Sequence, residues 1–257
     1  MIDALSIASS GLAANQAWID SISNNIANMQ TVGFKRSQVN FMDMVQMVPV
    51  NADSSSSASR QLTGAGIKVS HQSQVFTPGA IRQTTNPLDV AIAGNGFFEV
   101  ELSNGELAYT RAGRFHVDND GRLSLANGMV LASDLRIPPD AASIQIQADG
   151  VVRAKLANSS ETMMVGQIRL TGFGNAEQLE KINEGLYRPT ALSGEPAYAE
   201  PGLNGQGTLL QSHIEMSNVS LIEEMTGLVL AQRAYQLNAR LLQAGDQIME
   251  TINNLRR

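Results

Sequence analysis

The chain has 257 residues, enough for one large domain or two to three small ones, and a 43% hydrophobic content that can supply a folded core. Its net charge of -6 excludes the electrostatic footprint of a nucleic-acid binder. The absence of cysteine excludes disulfides and thiolate metal sites.

Leu5, Leu12, Ile19 and Ile26 recur at intervals of seven, and Ala8, Asn15, Ile22 and Met29 follow three positions behind each. Such spacing places both sets on one side of a helix, predicted from about residue 2 to Met29, and forms a coiled-coil seam. Asp3, Ser6, Ser9 and Ser10 interrupt any apolar run there, and no basic n-region precedes it, so a cleaved secretory signal is not expected. No stretch approaches the ~20 apolar residues of a bilayer span. Thr31-Val32-Gly33 stops the helix, with Gly33 suited to the left-handed conformation of a helix end. Lys35-Arg36, like Arg256-Arg257, reads as ordinary solvated charge. Phe41, Met44, Val45 and Val48 have the spacing of a short helix. The polar tract from Asn51 to Arg60, with Ser54 to Ser57 at its centre, cannot pack a core and reads as a mobile or partner-ordered loop.

From Ile67 to Pro189 the period changes to two. Asn104-Gly105, Asp118 to Gly121, Asn127-Gly128 and Asp149-Gly150 separate short apolar runs. These pairs favour tight hairpins because the turn needs positive φ, so the middle of the chain is a domain of antiparallel strands. Leu186 to Gly207, rich in Gly and Pro, returns the chain toward its start. Ser220 with Glu223 reads as a capping box opening a last helix, Leu221 to Leu255. On it Leu221, Leu228, Tyr235, Leu242 and Met249 repeat the seam, with Ala231, Asn238, Gly245 and Ile252 as its second set. Beside it runs a further stripe of Ala234, Leu237, Leu241, Ala244, Ile248 and Leu255. The first helix can cover one stripe; the other packs on the β-rich region or meets another chain.

The fold expected is therefore α+β, with long N- and C-terminal helices pairing as a coiled coil around a central antiparallel β-rich domain. Its parts are residues 1–32 and 218–257 for the helices, 33–66 and 190–217 as connecting segments, and 67–189 for the β-rich domain. A serine-rich insertion occupies about 46–63.

Nothing in the pattern supplies catalysis. His71, His116 and His213 are scattered without ligand spacing and read as structural or surface residues. Asp118 to Gly121 resembles part of a calcium loop, but the twelfth position holds Met129 in place of glutamate, and a hairpin turn is the better reading. Gly94-Asn95-Gly96 begins like a dinucleotide fingerprint, yet Glu99 holds the third glycine position and a β-run follows. Glu223-Glu224 lies in the first turn of a helix, where the helix dipole favours carboxylates. The expectation is no catalytic, cofactor-binding or metal site, and no enzyme.

Three sets of segments resemble a known family. Ser10-Gly11-Leu12, Asn24 to Asn28 and Thr31 to Arg36 are similar to the N-terminal signature of bacterial flagellar rod and hook proteins. Leu88 to Ile92, Gly94 to Phe98 and Tyr109 to Phe115 resemble the central signature, and Ser217-Asn218-Val219, Glu223-Glu224-Met225 and Ala231 to Tyr235 the C-terminal one. The tract around Gln46 to Thr63, and Gly202 to Gly205 followed by Leu209-Leu210-Gln211, resemble the rod members at the distal position more than the proximal-rod or hook-type members, which stay as alternatives. The resemblance implies a structural subunit that polymerises into a rigid hollow shaft and carries motor torque to the hook. It implies the seam and stripe residues as the polymer interface and no cofactor. The implied partners are further copies of the chain, proximal-rod and hook proteins, the periplasmic and outer-membrane ring proteins, and the flagellar export apparatus. It also implies a place in the periplasm-spanning basal body, reached without a cleaved signal. An exported β-domain enzyme or adhesin is the alternative of another class.

Overall fold

The computed structural model describes residues 2–49, 60–133, 135–157, 162–183 and 185–255. The serine-rich tract lies outside the described residues except for Arg60, as do Arg256 and Arg257. The chain divides into two compact units: Met1–Ala27, Ser37–Ser73 and Ser220–Arg257 form one, and Asn28–Arg36 with Gln74–Val219 form the other.

The first unit holds two helices, α1 (Ile2–Ala27) and α2 (Leu221–Leu255), and two strands, β1 (Ser37–Pro49) and β2 (Arg60–Gln74). The bounds of α2 are those the pattern predicts, and the Ser220 carbonyl accepts from the Glu224 N–H as an N-cap carbonyl does. Helix α1 stops at Ala27, so Met29 falls outside it. The helices pack antiparallel. Gly245 faces Leu5, Asn238 faces Gly11, and Gly227 faces Ile22 and Trp18, while Asn25 Nδ2 donates to Glu224 Oε2 at 3.3 Å. A Cβ on Gly245 would stand 2.6 Å from Leu5 Cδ2, so the missing side chain sets how closely the helices approach.

The segment bearing Phe41, Met44, Val45 and Val48 is a strand, which corrects the short helix expected there. It pairs with β2 in a two-stranded sheet. Four apolar residues satisfy a helical period by chance, and pairing with a second strand overrides so weak a local signal. This ribbon lies on α1. Ser21 Oγ donates to the Ser37 carbonyl at 3.2 Å, the Ile67 N–H donates to Ser10 Oγ at 3.2 Å, and Trp18 meets Phe41 edge-on.

The second unit is antiparallel β structure. Its strands are β3 (Ile81–Gln83), β4 (Val90–Ala93), β5 (Phe98–Glu101), β6 (Leu107–Thr110), β7 (Phe115–Val117), β8 (Leu123–Leu125), β9 (Val130–Leu131), β10 (Ala141–Ile146) and β11 (Val151–Leu156). They continue as β12 (Thr162–Gln167), β13 (Leu170–Gly172), β14 (Glu180–Lys181), β15 (Leu186–Arg188), β16 (Ala197–Ala199), β17 (Thr208–Gln211) and β18 (His213–Glu215). Seven of these form one sheet in the order β14-β15-β6-β5-β9-β8-β7, and β10-β11-β12 form a second. The pairs β13-β16, β17-β4 and β18-β3 complete the unit.

The turn signals predicted from sequence sit at its hairpins. Gly105, Gly121, Gly128 and Gly150 all have positive φ, and each donates its N–H back three residues. The core gathers Val90, Phe98, Phe115, Leu123, Val152, Ile168, Leu170 and Leu209. A smaller aromatic cluster joins Phe97, Tyr109 and Tyr187 to Phe76 and Phe173 by edge-to-face contacts. The fold is α+β: two terminal helices and an antiparallel β-rich centre.

Candidate assembly surface and a buried charge cluster

The residues predicted as a seam are placed unequally. Ile22 is buried, Leu5, Leu12, Ile19 and Ile26 are half-buried, and on α2 Leu228 and Leu242 are half-buried. Leu221, Tyr235, Met249 and Ile252 remain exposed. The closest approach of α1 falls on the second set instead, where Ala231 is fully buried and Asn238 and Gly245 meet α1. Apart from half-buried Ala234, the further stripe is uncovered within the chain. Leu237 is 60% exposed, Leu241 62% and Leu255 82%, with Ile248 and Ala244 also in solvent.

Sequence reasoning gave no role to Asn25, although it lies in the N-terminal signature. Its amide donates to the Ser37 carbonyl and accepts from the Ser37 N–H, both at 2.9 Å, so one buried side chain pairs with the first residue of β1 as a strand would. The hydrogen bonds are neutral but lie out of water, where losing either leaves a group unsatisfied.

In the β-rich unit the segment 31–36 is held by charge. Lys35 was expected to be solvated; it is 0% exposed, and its Nζ donates to Glu215 Oε1 at 2.6 Å and to the Thr77 carbonyl at 2.8 Å. Glu215, 1% exposed, also accepts from the Gly79 N–H at 2.9 Å and from Arg111 Nη1 at 3.4 Å. Arg111 is itself only 3% exposed and lies over the Phe97 ring. Burial lowers the affinity of both Lys35 and Arg111 for their protons, and Glu215 opposes the effect. Asn218 fastens the same place, accepting from the Arg36 N–H at 2.7 Å and donating to the Val75 carbonyl at 2.7 Å. Gly33 has a φ of +71°, and any Cβ there would strike the backbone of Arg111 and Ala112. The lysine was misread because a lone Lys-Arg pair carries no sign of partners 42 and 180 residues away.

The other polar candidates are structural. His71 lies by Asn40 and Ser70, His116 by Ser124 and His213 by the Gln211 carbonyl. No cluster able to hold a metal occurs among the described residues. Asp118 to Gly121 is the turn between β7 and β8, and strand β5 follows Gly94-Asn95-Gly96. Among the described residues no helix is long and apolar enough to cross a membrane.

Comparison with known proteins agrees with this geometry. Residues 5–35 match the family described as flagella basal body rod protein, and residues 91–154 the D1 domain of the flagellar hook protein FlgE/F/G group. Residues 210–255 match the C-terminal region of the flagellar basal body rod FlgEFG proteins. The flagellar basal-body rod protein FlgG of Caulobacter vibrioides is 39% identical over 99% of this chain and 100% of its own length. Those of Bacillus subtilis, at 37% over 96% and 97%, and of the Buchnera aphidicola of Schizaphis graminum, at 36% over 99% and 100%, are similar in extent. The three matched regions take in most of both helices and part of the β-rich centre, and the chain belongs to the flagellar basal-body rod protein family, where it is most like FlgG, the distal rod protein.

Proposed function

We propose that α1 and α2 pair as a coiled coil and that the open stripe of α2 is the surface on which copies join into the rod. The carrying observation is the stripe itself: Leu237, Leu241, Ile248 and Leu255 lie along one helix and face water in the single chain. Burying one such side chain contributes roughly 1.5–3 kcal/mol, so a stripe repeated on every copy supports a stiff shaft without any reactive group. The interface then comprises Leu241, Ile248 and Leu255 with the exposed seam residues Leu221, Tyr235, Met249 and Ile252, and the inner seam of Leu5, Leu12, Ile19, Ile22, Ile26, Leu228 and Leu242 holds the pair together.

In this reading the chain is a non-enzymatic structural subunit without a cofactor. It spans the periplasm at the distal position and passes torque between proximal rod and hook inside the ring proteins. The flagellar export apparatus delivers it without a cleaved signal. Leu241→Asp tests the surface. It leaves the circular-dichroism spectrum of the soluble chain unchanged and stops polymerisation, measured by light scattering and electron microscopy. Polymer of normal length and yield from this variant would exclude the stripe as the interface.

A further inference from the structure

The charge cluster of the β-rich unit is unbalanced. Two buried cations, Lys35 and Arg111, share the single carboxylate of Glu215. Arginine carries five N–H donors. Arg111 spends one on Glu215, at a long 3.4 Å, and its buried Nε has no partner. Arg111 also lines a cleft of about 460 Å³, with Phe76, Phe173, Asn95, Asn204 and Gln206 around it. No acidic side chain lines this cleft among the described residues. A buried positive charge without a counter-ion is costly, and the cheapest remedy is an anion admitted from outside.

We infer that the cleft beside Arg111 is a carboxylate-binding site. A guanidinium fork recognises carboxylate and phosphate groups alike, but the excess here is one positive charge. A monoanionic carboxylate balances it, whereas phosphate at neutral pH brings about -1.5 to -2. Asn95 and Asn204 also line the cleft, while the Gln206 amide is held by the Asn95 carbonyl and the Gly172 N–H. The source committed to is an acidic side chain of a second copy, since the chain carries 24 Asp and Glu against 18 Lys and Arg. That choice of source rests on the rod reading; the site itself does not.

The test uses the full chain. Urea unfolding is followed in sodium acetate, in acetamide with sodium chloride, and in sodium chloride alone, at constant ionic strength. Acetate raises the midpoint in a saturable way, and acetamide does not. Gly174 also lines the cleft, and a Cβ there meets nothing nearer than the Ser193 carbonyl at 3.9 Å, so Gly174→Leu folds and fills the space. The acetate effect disappears in Gly174→Leu and in Arg111→Met. Absence of a saturable effect, or an equal one in Gly174→Leu, overturns the proposal.

Because the natural chain has no cysteine, Gly174→Cys provides a unique thiol for maleimide labelling. Labelling that is several-fold slower in polymer than in monomer assigns the carboxylate to a second copy. Equal labelling, with the acetate effect intact, assigns it to a free acid. Failure of the chain to polymerise at all counts against the rod reading and leaves the acetate result standing.

Discussion

At the scale of single residues, Glu215 has more to do than its neighbours. Among the described residues it is the only carboxylate paired with Lys35 and Arg111, and it also binds the Gly79 N–H. Glu215→Gln keeps the shape but leaves two cations buried without their partner. Removing one member of a buried ion pair costs about 3–5 kcal/mol, so this variant loses that much in urea unfolding of the full chain. Tyr187 presents the opposite case. Its hydroxyl is buried without a hydrogen-bond partner, and burial pushes the phenol well above its ordinary value. Tyr187→Phe removes an unsatisfied group, so stability near neutral pH changes by less than about 1 kcal/mol or rises.

The sign with pH follows from proton counting. Above the ordinary tyrosine value near 10, the unfolded chain gives up phenol protons that the folded chain keeps at Tyr109 and Tyr187. The unfolded state then binds fewer protons, and stability falls as pH rises. Lys35 and Lys181 act the other way below about 10.5, because their folded forms release protons first and stability rises with pH through that window. Unfolding midpoints measured from pH 9 to 12 therefore decline more gently in Tyr187→Phe than in the natural chain. An identical decline would remove Tyr187 from the account.

At the scale of elements, the two helices and the hairpins were legible because each writes its signal locally. Helix α2 begins directly after Ser220 and carries a heptad pattern at five positions from Leu221 to Met249. The hairpins have glycine where positive φ is needed. Strand β1 was illegible, since its partner β2 begins beyond the serine tract and local spacing favoured a helix. Asn25, Lys35 and Glu215 were illegible as a group for the same reason: their meaning lies in partners distant in sequence, and pattern reading has no access to pairing. The contact between α1 and α2 includes small residues, with Gly245 against Leu5 and Gly11 against Asn238. Ala231 is fully buried where α2 meets α1. Ala231→Leu overpacks that position and costs about 1–3 kcal/mol, read as a lower urea midpoint of the assembled chain by Trp18 fluorescence. An unchanged midpoint would mean that the helices do not meet there.

At the scale of the whole molecule, the two units differ in how much core they own. The β-rich unit buries many large side chains, among them Phe98, Phe115, Leu123, Ile168, Leu170 and Leu209. Among the described residues of the helical unit, the buried apolar side chains are Ala8, Ala14, Ile22, Val39 and Ala231, mostly small. Helices with so little burial gain scant stability from propensity alone. On the proposed assembly, the terminal helices of the free chain open first and become firm only when neighbouring copies cover the α2 stripe. Trp18, the single tryptophan, lies in α1 and reports the helical unit alone. In dilute monomer its fluorescence changes at lower urea than the β-sheet signal, giving two separate transitions. In polymer the Trp18 transition moves upward toward the other, since assembly stabilises whichever unit it buries. Amide exchange follows the same order, with weak protection in both helices of the monomer and strong protection after assembly. Coincident transitions in the monomer, with both helices already protected, would mean that the helical unit is fully folded before it joins the rod.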